Sequence, residues 1–186
     1  MNVIYGSSDE RVLINPAGVG LGNFDGLHVG HMELVNTLIS ESKASFLNSV
    51  VYTFTKHPEN IIRKSLFTPL ITTFDKKVEL LGRTNLDYLY FEEFDENFSR
   101  MKPEEFVKSI LVERLNIKLA VAGEDYRFGY MGQGNTDLLY KLGQRYGFRV
   151  LIIPPVKIDD NVVSSTLIRK FILKGYMEPG TYRLTE

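Results

Sequence analysis

Short apolar runs alternate with helix-patterned stretches along nearly the whole chain, and this alternation restricts the possible folds more than any other feature. AGVGLG (17–22), SVVYTF (49–54), DYLYF (87–91), LAVAG (119–123) and FRVLIIP (148–154) read as strands, short and apolar. HMELVNTLISES (31–42), TTFDKKVELLGR (72–83), KPEEFVKSILVERL (102–115), NTDLLYKLGQRYG (135–147) and SSTLIRKFILKG (164–175) read as helices. In the first of these Leu34, Val35, Leu38 and Ile39 share one face. Thr72, Pro103, Asn135 and Ser164 supply helix-start chemistry, and Gly175 supplies a stop. The pattern predicts an α/β fold: a Rossmann-like open parallel sheet of about five strands, with helices on both faces. The 186 residues show no repeat and no linker, so a single domain over 1–186 is expected.

In such sheets ligands bind beyond the carboxyl ends of the strands, where strand order reverses. The residues with chemical character fall there. GNFDGLHVGHMELV (22–35) follows the first of these strands and opens a helix. A helix start offers unpaired N–H groups and partial positive charge, which suit phosphate. His28 and His31 stand beside it as hydrogen-bond donors. The stretch is neither G-x-G-x-x-G nor a Walker loop. A zinc site lacks an obvious third ligand. TFTKHPEN (53–60) brings Lys56 and the remaining histidine, His57, after the second strand. GEDYRFGYMGQGN (123–135) combines four glycines, three aromatics and Arg127, a composition suited to a planar ring attached to phosphate. VVSSTLIRK (162–170) places Ser164, Ser165 and Thr166 at a second helix start, with Arg169 a turn later.

Composition removes several alternatives. There is no cysteine, so disulfides and thiol catalysis are excluded and a reducing compartment is expected. The net charge of −1 gives no global basic field, so no nucleic-acid partner is expected and any anion site must be local. No apolar run reaches membrane-spanning length, and MNVIYGSSDER lacks secretory character, so the expected location is cytoplasmic, without membrane association. Neither a Ser-His-acid set nor a paired-carboxylate motif is apparent. Phosphoryl or nucleotidyl transfer, driven by positioning and charge stabilisation, is the chemistry these residues suit.

His28-Val29-Gly30-His31 resembles the H-x-G-H signature of the nucleotidylyltransferase superfamily, and SSTLIR (164–169) resembles its closing phosphate motif. Together with GEDYRFG, the set resembles the FAD synthetase (FMN adenylyltransferase) module of prokaryotic riboflavin kinase/FAD synthetases, over nearly all of residues 1–175. The resemblance implies transfer of AMP from ATP to FMN, giving FAD and pyrophosphate, with magnesium. It implies that His28, His31 and Arg169 are catalytic. Gly22, Asn23, Phe24, Asp25, His28, Gly30 and His31 would meet ATP, and Ser164, Ser165, Thr166 and Arg169 would hold its pyrophosphate. Phe54, His57, Pro58, Asp125, Arg127 and Phe128 would meet FMN. Magnesium would ride on phosphate oxygens and water, without a protein ligand.

Three positions depart from the family pattern. Lys56 stands where proline is usual, Tyr126 where phenylalanine is common, and residues 175–186 match no usual linker to a riboflavin kinase domain. Either a single-activity enzyme or a piece of a longer protein is expected, with oligomeric state open. The alternatives are a non-catalytic flavin or nucleotide-binding module, or a nucleotidylyltransferase for another phosphorylated small molecule.

Overall fold

β2 (Ala17–Leu21) is buried at all five residues, and this central strand organises the molecule. The computed structural model describes residues 1–6, 16–56, 58–62 and 68–175. Around β2 the sheet continues with β1 (Asn2–Tyr5), β3 (Asn48–Phe54), β4 (Tyr88–Glu92), β5 (Ile117–Gly123) and β6 (Arg149–Ile153). Its order is β1-β4-β3-β2-β5-β6, and every pairing is parallel. This agrees with the expected open parallel sheet and adds a sixth strand, β1, on the β4 edge. NVIY is too short and too exposed at its ends to show a strand pattern by itself.

Side chains alternate between two cores, as strand geometry requires. In β5, Leu119 and Val121 join one core and Ala120 and Ala122 the other. The first core is covered by α1 (Val29–Ala44) through Leu34, Val35 and Leu38, and by Leu81 of α3 (Phe74–Gly82). The second is covered by Leu139 and Leu142 of α6 (Thr136–Tyr146) and by a helical segment at 103–114. α1 lies so close to β2 that glycine is needed beneath it. A Cβ on Gly20 would stand 3.0 Å from Leu38, and one on Gly18 would overlap the Ser42 hydroxyl.

The segment read as one helix over 102–115 is a single α turn, α5 (Pro103–Glu105), running into a wider π-helix at Phe106–Arg114. Phe106, Val107, Ile110 and Leu111 of this segment are buried. Short elements without enough periodicity to read from sequence complete the chain: α2 (Pro58–Ile62), α4 (Glu96–Ser99) and the hairpin β7 (Lys157–Ile158) and β8 (Asn161–Val162). The last described helix, α7 (Ser165–Leu173), is capped by Ser164 as expected. The cap of α3 is a correction. It is Thr73, which accepts from the Lys76 N–H, and not Thr72. Thr72 is drawn into the loop before α1, where its hydroxyl accepts from the Gly26 N–H at 2.9 Å.

Candidate active site

Strand order reverses between β2 and β5, so their carboxyl ends frame the crevice where a ligand is expected. The loop from β2 to α1 enters it in a sparsely populated backbone conformation. Phe24, Gly26 and Leu27 all have positive φ, at 48°, 89° and 38°. Glycine accepts such a conformation readily, whereas phenylalanine and leucine hold it only where surrounding contacts impose it. Both side chains are completely buried. Asp25 supplies much of the remaining constraint. Its Oδ1 accepts from the N–H groups of Ile71 and Thr72, both at 2.9 Å, and its Oδ2 pairs with Arg169 at 2.5 Å. Its backbone carbonyl accepts from the Ser165 hydroxyl at 2.7 Å. One residue therefore ties together the loop, the 71–72 segment and the start of α7.

His28 caps α1. Its Nδ1 accepts from the His31 N–H at 3.3 Å, leaving the N–H groups of Val29 and Gly30 without intrahelical partners. The two imidazoles stack at 3.7 Å, and His31 leans on Phe24 at 5.4 Å. Burial lowers the His28 pKa to about 4, against a smaller opposing pull from Asp125 and Asp25. Burial likewise holds His31 well below its ordinary value, helped by His28 and Lys77. Both rings are neutral at neutral pH. With Nδ1 accepting, the proton of His28 sits on Nε2, as a donor. His31 Nδ1 is buried and lacks a hydrogen-bond partner among the described residues, an arrangement that points to a ligand.

Two cavities meet here. The first, about 340 Å³, is lined by Gly22, Phe24, His28, Gly30 and His31, and walled opposite by Pro154, Val156 and Val163. The second, about 310 Å³, is lined by Asn23, Phe54, Pro58, Asp125, Arg127 and Phe128. Asp125 lines both. Aromatic contacts shape the second cavity: Phe54 packs edge-on to Phe94 at 5.1 Å, and Phe128 stacks on Tyr126 at 5.6 Å. Burial pushes the Tyr126 phenol upward, so it stays protonated.

The structure thus brings most of the sequence-predicted residues to one sheet edge. Asn23 lies with the group assigned to FMN, not with Gly22 and Phe24. Ser164, Ser165, Thr166 and Arg169 line neither cavity but sit at the start of α7, joined to the loop through Asp25. The carboxylate of Asp25 is spent on internal partners and is 2% exposed. His57 lies outside the described residues. Sequence reasoning missed Lys77, whose Nζ donates to the Asn23 carbonyl at 2.8 Å. It also missed the β7–β8 side of the first cavity. A signal for Lys77 existed: it stands four residues before Leu81, on the buried stripe of α3.

Fold and site together define an α/β domain of the open parallel-sheet class, with a histidine pair at the helix start that faces the switch point. The chain belongs to the FAD synthetase family, whose model matches residues 13–167. It is 32% identical over 179 residues to a bifunctional riboflavin kinase/FMN adenylyltransferase from Buchnera aphidicola subsp. Schizaphis graminum, covering 96% of this chain and 57% of that protein. It is 30% identical over 159 residues to a FAD synthetase from Listeria monocytogenes, covering 85% of this chain and 64% of that one. A crystal structure described as a macrolide-efflux protein from Streptococcus pneumoniae superposes with a TM-score of 0.80 at 28% identity, over 93% of this chain and 56% of that chain. The chain therefore spans just over half to nearly two thirds of the length of these relatives. Among the described residues no helix is long and apolar enough to cross a membrane.

Proposed function

We propose that this chain transfers AMP from ATP to FMN, releasing pyrophosphate and forming FAD. The observation that carries the reading is the stacked, neutral His28–His31 pair at the start of α1, opening on one cavity that shares Asp125 with a second, aromatic-walled cavity. ATP occupies the first cavity, against Gly22, Phe24 and Gly30, with its phosphates toward the N-terminus of α1. FMN occupies the second, its ring among Phe54, Pro58 and Phe128 and its phosphate near Arg127, with Asn23 and Asp125 at the junction.

A phosphate oxygen of FMN attacks the α-phosphorus of ATP. The new P–O bond forms as the bond from the α-phosphorus to the oxygen bridging it to the β-phosphorus breaks, and the electron pair leaves with pyrophosphate. His28 Nε2–H and His31 stabilise charge on the α-phosphate oxygens, aided by the Val29 and Gly30 N–H groups. Neutral donors suit this task because they bind the transition-state charge without holding the substrate anion too tightly. Ser164, Ser165, Thr166 and Arg169 hold the pyrophosphate, with Arg169 oriented by Asp25. Among the described residues no three His, Asp or Glu side chains cluster as a metal cage. ATP enters as its magnesium complex, the ion held by phosphate oxygens and water.

The test is incubation of the purified chain with ATP, magnesium and FMN, with flavins separated by chromatography and riboflavin as a control acceptor. FAD from FMN and no product from riboflavin is expected. Bound FMN that is never converted would overturn the reading, as would pyrophosphate release with another phosphate ester in place of FMN.

A further inference from the structure

One charged side chain beside the site has no part in this scheme. Lys77 is 5% exposed, in a residue class almost never buried without a paired charge. Its Nζ donates to the Asn23 carbonyl at 2.8 Å and to Thr53 Oγ1 at 3.2 Å, and Thr53 donates to the same carbonyl at 2.9 Å. The three groups close a triangle beneath the loop that joins β2 to α1. The carbonyl they share directly precedes Phe24, where the left-handed backbone begins.

This arrangement is costly for stability alone. Nearby Asp25 gives Lys77 no ion pair, because its carboxylate is taken up by Ile71, Thr72 and Arg169. A buried ammonium without a carboxylate partner is destabilising. A methionine of similar length would fill the same space, and Thr53 would still satisfy the carbonyl. The cation is therefore explained better by the site than by the fold. Movement at Asn23 passes directly to Phe24, whose ring packs on His31, and His31 stacks on His28.

We propose that Lys77 is a positioning residue for adenylyl transfer: its ammonium fixes the Asn23 carbonyl and with it the loop that aims both histidines. Its charge adds, after burial and the His28 ring, to what holds His31 below its ordinary value. The inference rests on the function proposed above. The titratable groups acting on Lys77 are Asp25 from the loop and His31 from α1, while β3 contributes the neutral Thr53. Burial brings Lys77 itself down to about 8, against a smaller opposing pull from Asp25, so its charge changes within an accessible pH range.

The test compares the full chain with Lys77→Met and Lys77→Arg, using kinetics with ATP and FMN and the imidazole NMR titration of substrate-free protein. Lys77→Met is expected to lower kcat by roughly tenfold to a hundredfold, the scale of a misaimed catalytic group. The KM for each substrate is expected to stay within about threefold, since no substrate contact is removed. The His31 titration midpoint is expected to rise in Lys77→Met and to stay low in Lys77→Arg, with part of the kcat restored. A kcat near wild type, or an unmoved His31 midpoint in Lys77→Met, would overturn the proposal. Should the Met variant fail to fold, the wild-type kcat profile decides. A decline centred near pH 8 supports the proposal, and a flat profile through that range overturns it. The His31 titration needs no turnover, so the two failures are distinguishable: no FAD synthesis by the wild type refutes the proposed function and this inference with it, whereas FAD synthesis with an unmoved His31 midpoint refutes this inference alone.

Discussion

His28 has two separable duties, and substitution there should split them. As the cap of α1 it accepts one backbone N–H at 3.3 Å. That bond is long, so His28→Ala should cost about 0.5–1 kcal/mol, the lower part of the range for lost caps. For a chain of this length the loss lowers Tm by roughly 1–4 °C. As a donor to the α-phosphate, His28 should matter far more. Losing one preorganised donor costs about a hundredfold to a thousandfold in kcat, or roughly 2.7–4 kcal/mol of transition-state stabilisation. His28→Asn separates the effects, because asparagine is a strong cap whose side chain falls short of the imidazole Nε2. Its Tm should match wild type while its kcat falls with that of His28→Ala. The assay is steady-state FAD formation paired with thermal unfolding. An Asn variant with wild-type kcat would refute the donor role. A loss confined to KM would reduce the histidine to ground-state anchoring.

The other expectations follow from packing and charge. The folded pKa of His28, about 4, lies below its ordinary 6.5, so the unfolded chain takes up the proton first on acidification. The His28 contribution is complete above about pH 6.5 and is lost as pH falls toward 4, and urea unfolding of wild type against His28→Asn should show that difference. Asp25→Asn removes the charge facing Arg169, and urea unfolding should show a loss of about 1–3 kcal/mol. It should also raise the KM for ATP, and an unchanged KM would count against Arg169 as a phosphate ligand. Ser42 Oγ is buried without a hydrogen-bond partner among the described residues, so Ser42→Ala should leave Tm unchanged or higher. Gly18→Ala should cost about 1–3 kcal/mol in urea unfolding by crowding Ser42, and the Gly18→Ala/Ser42→Ala double variant should recover much of it.

The legible parts were those with local signals. Strand–helix alternation announced the sheet, and Asn135 and Ser164 announced their helices because a cap acts within three residues of itself. His28 and His31 were legible as a pair since one helical turn brings them together. What stayed hidden depends on contacts distant in sequence. β1 is defined by its partner β4, more than eighty residues away. Thr72 looked like a cap, but Gly26 and Asp25 claim it from 46 and 47 residues away. Lys77 shares the buried stripe of α3 with Leu81, but its partners Asn23 and Thr53 lie 54 and 24 residues away in sequence, so its role is visible only in the structure. The cavity walls from the β7–β8 region likewise arise from chain return, which no short window of sequence records.

The most direct test of the central claim follows the phosphorus atoms of ATP through a single turnover with FMN and magnesium. With label on the α-phosphorus, all transferred label should appear in FAD. With label on the γ-phosphorus, it should appear in pyrophosphate. Release of orthophosphate, or α-label retained on the protein, would contradict one in-line adenylyl transfer at the histidine pair.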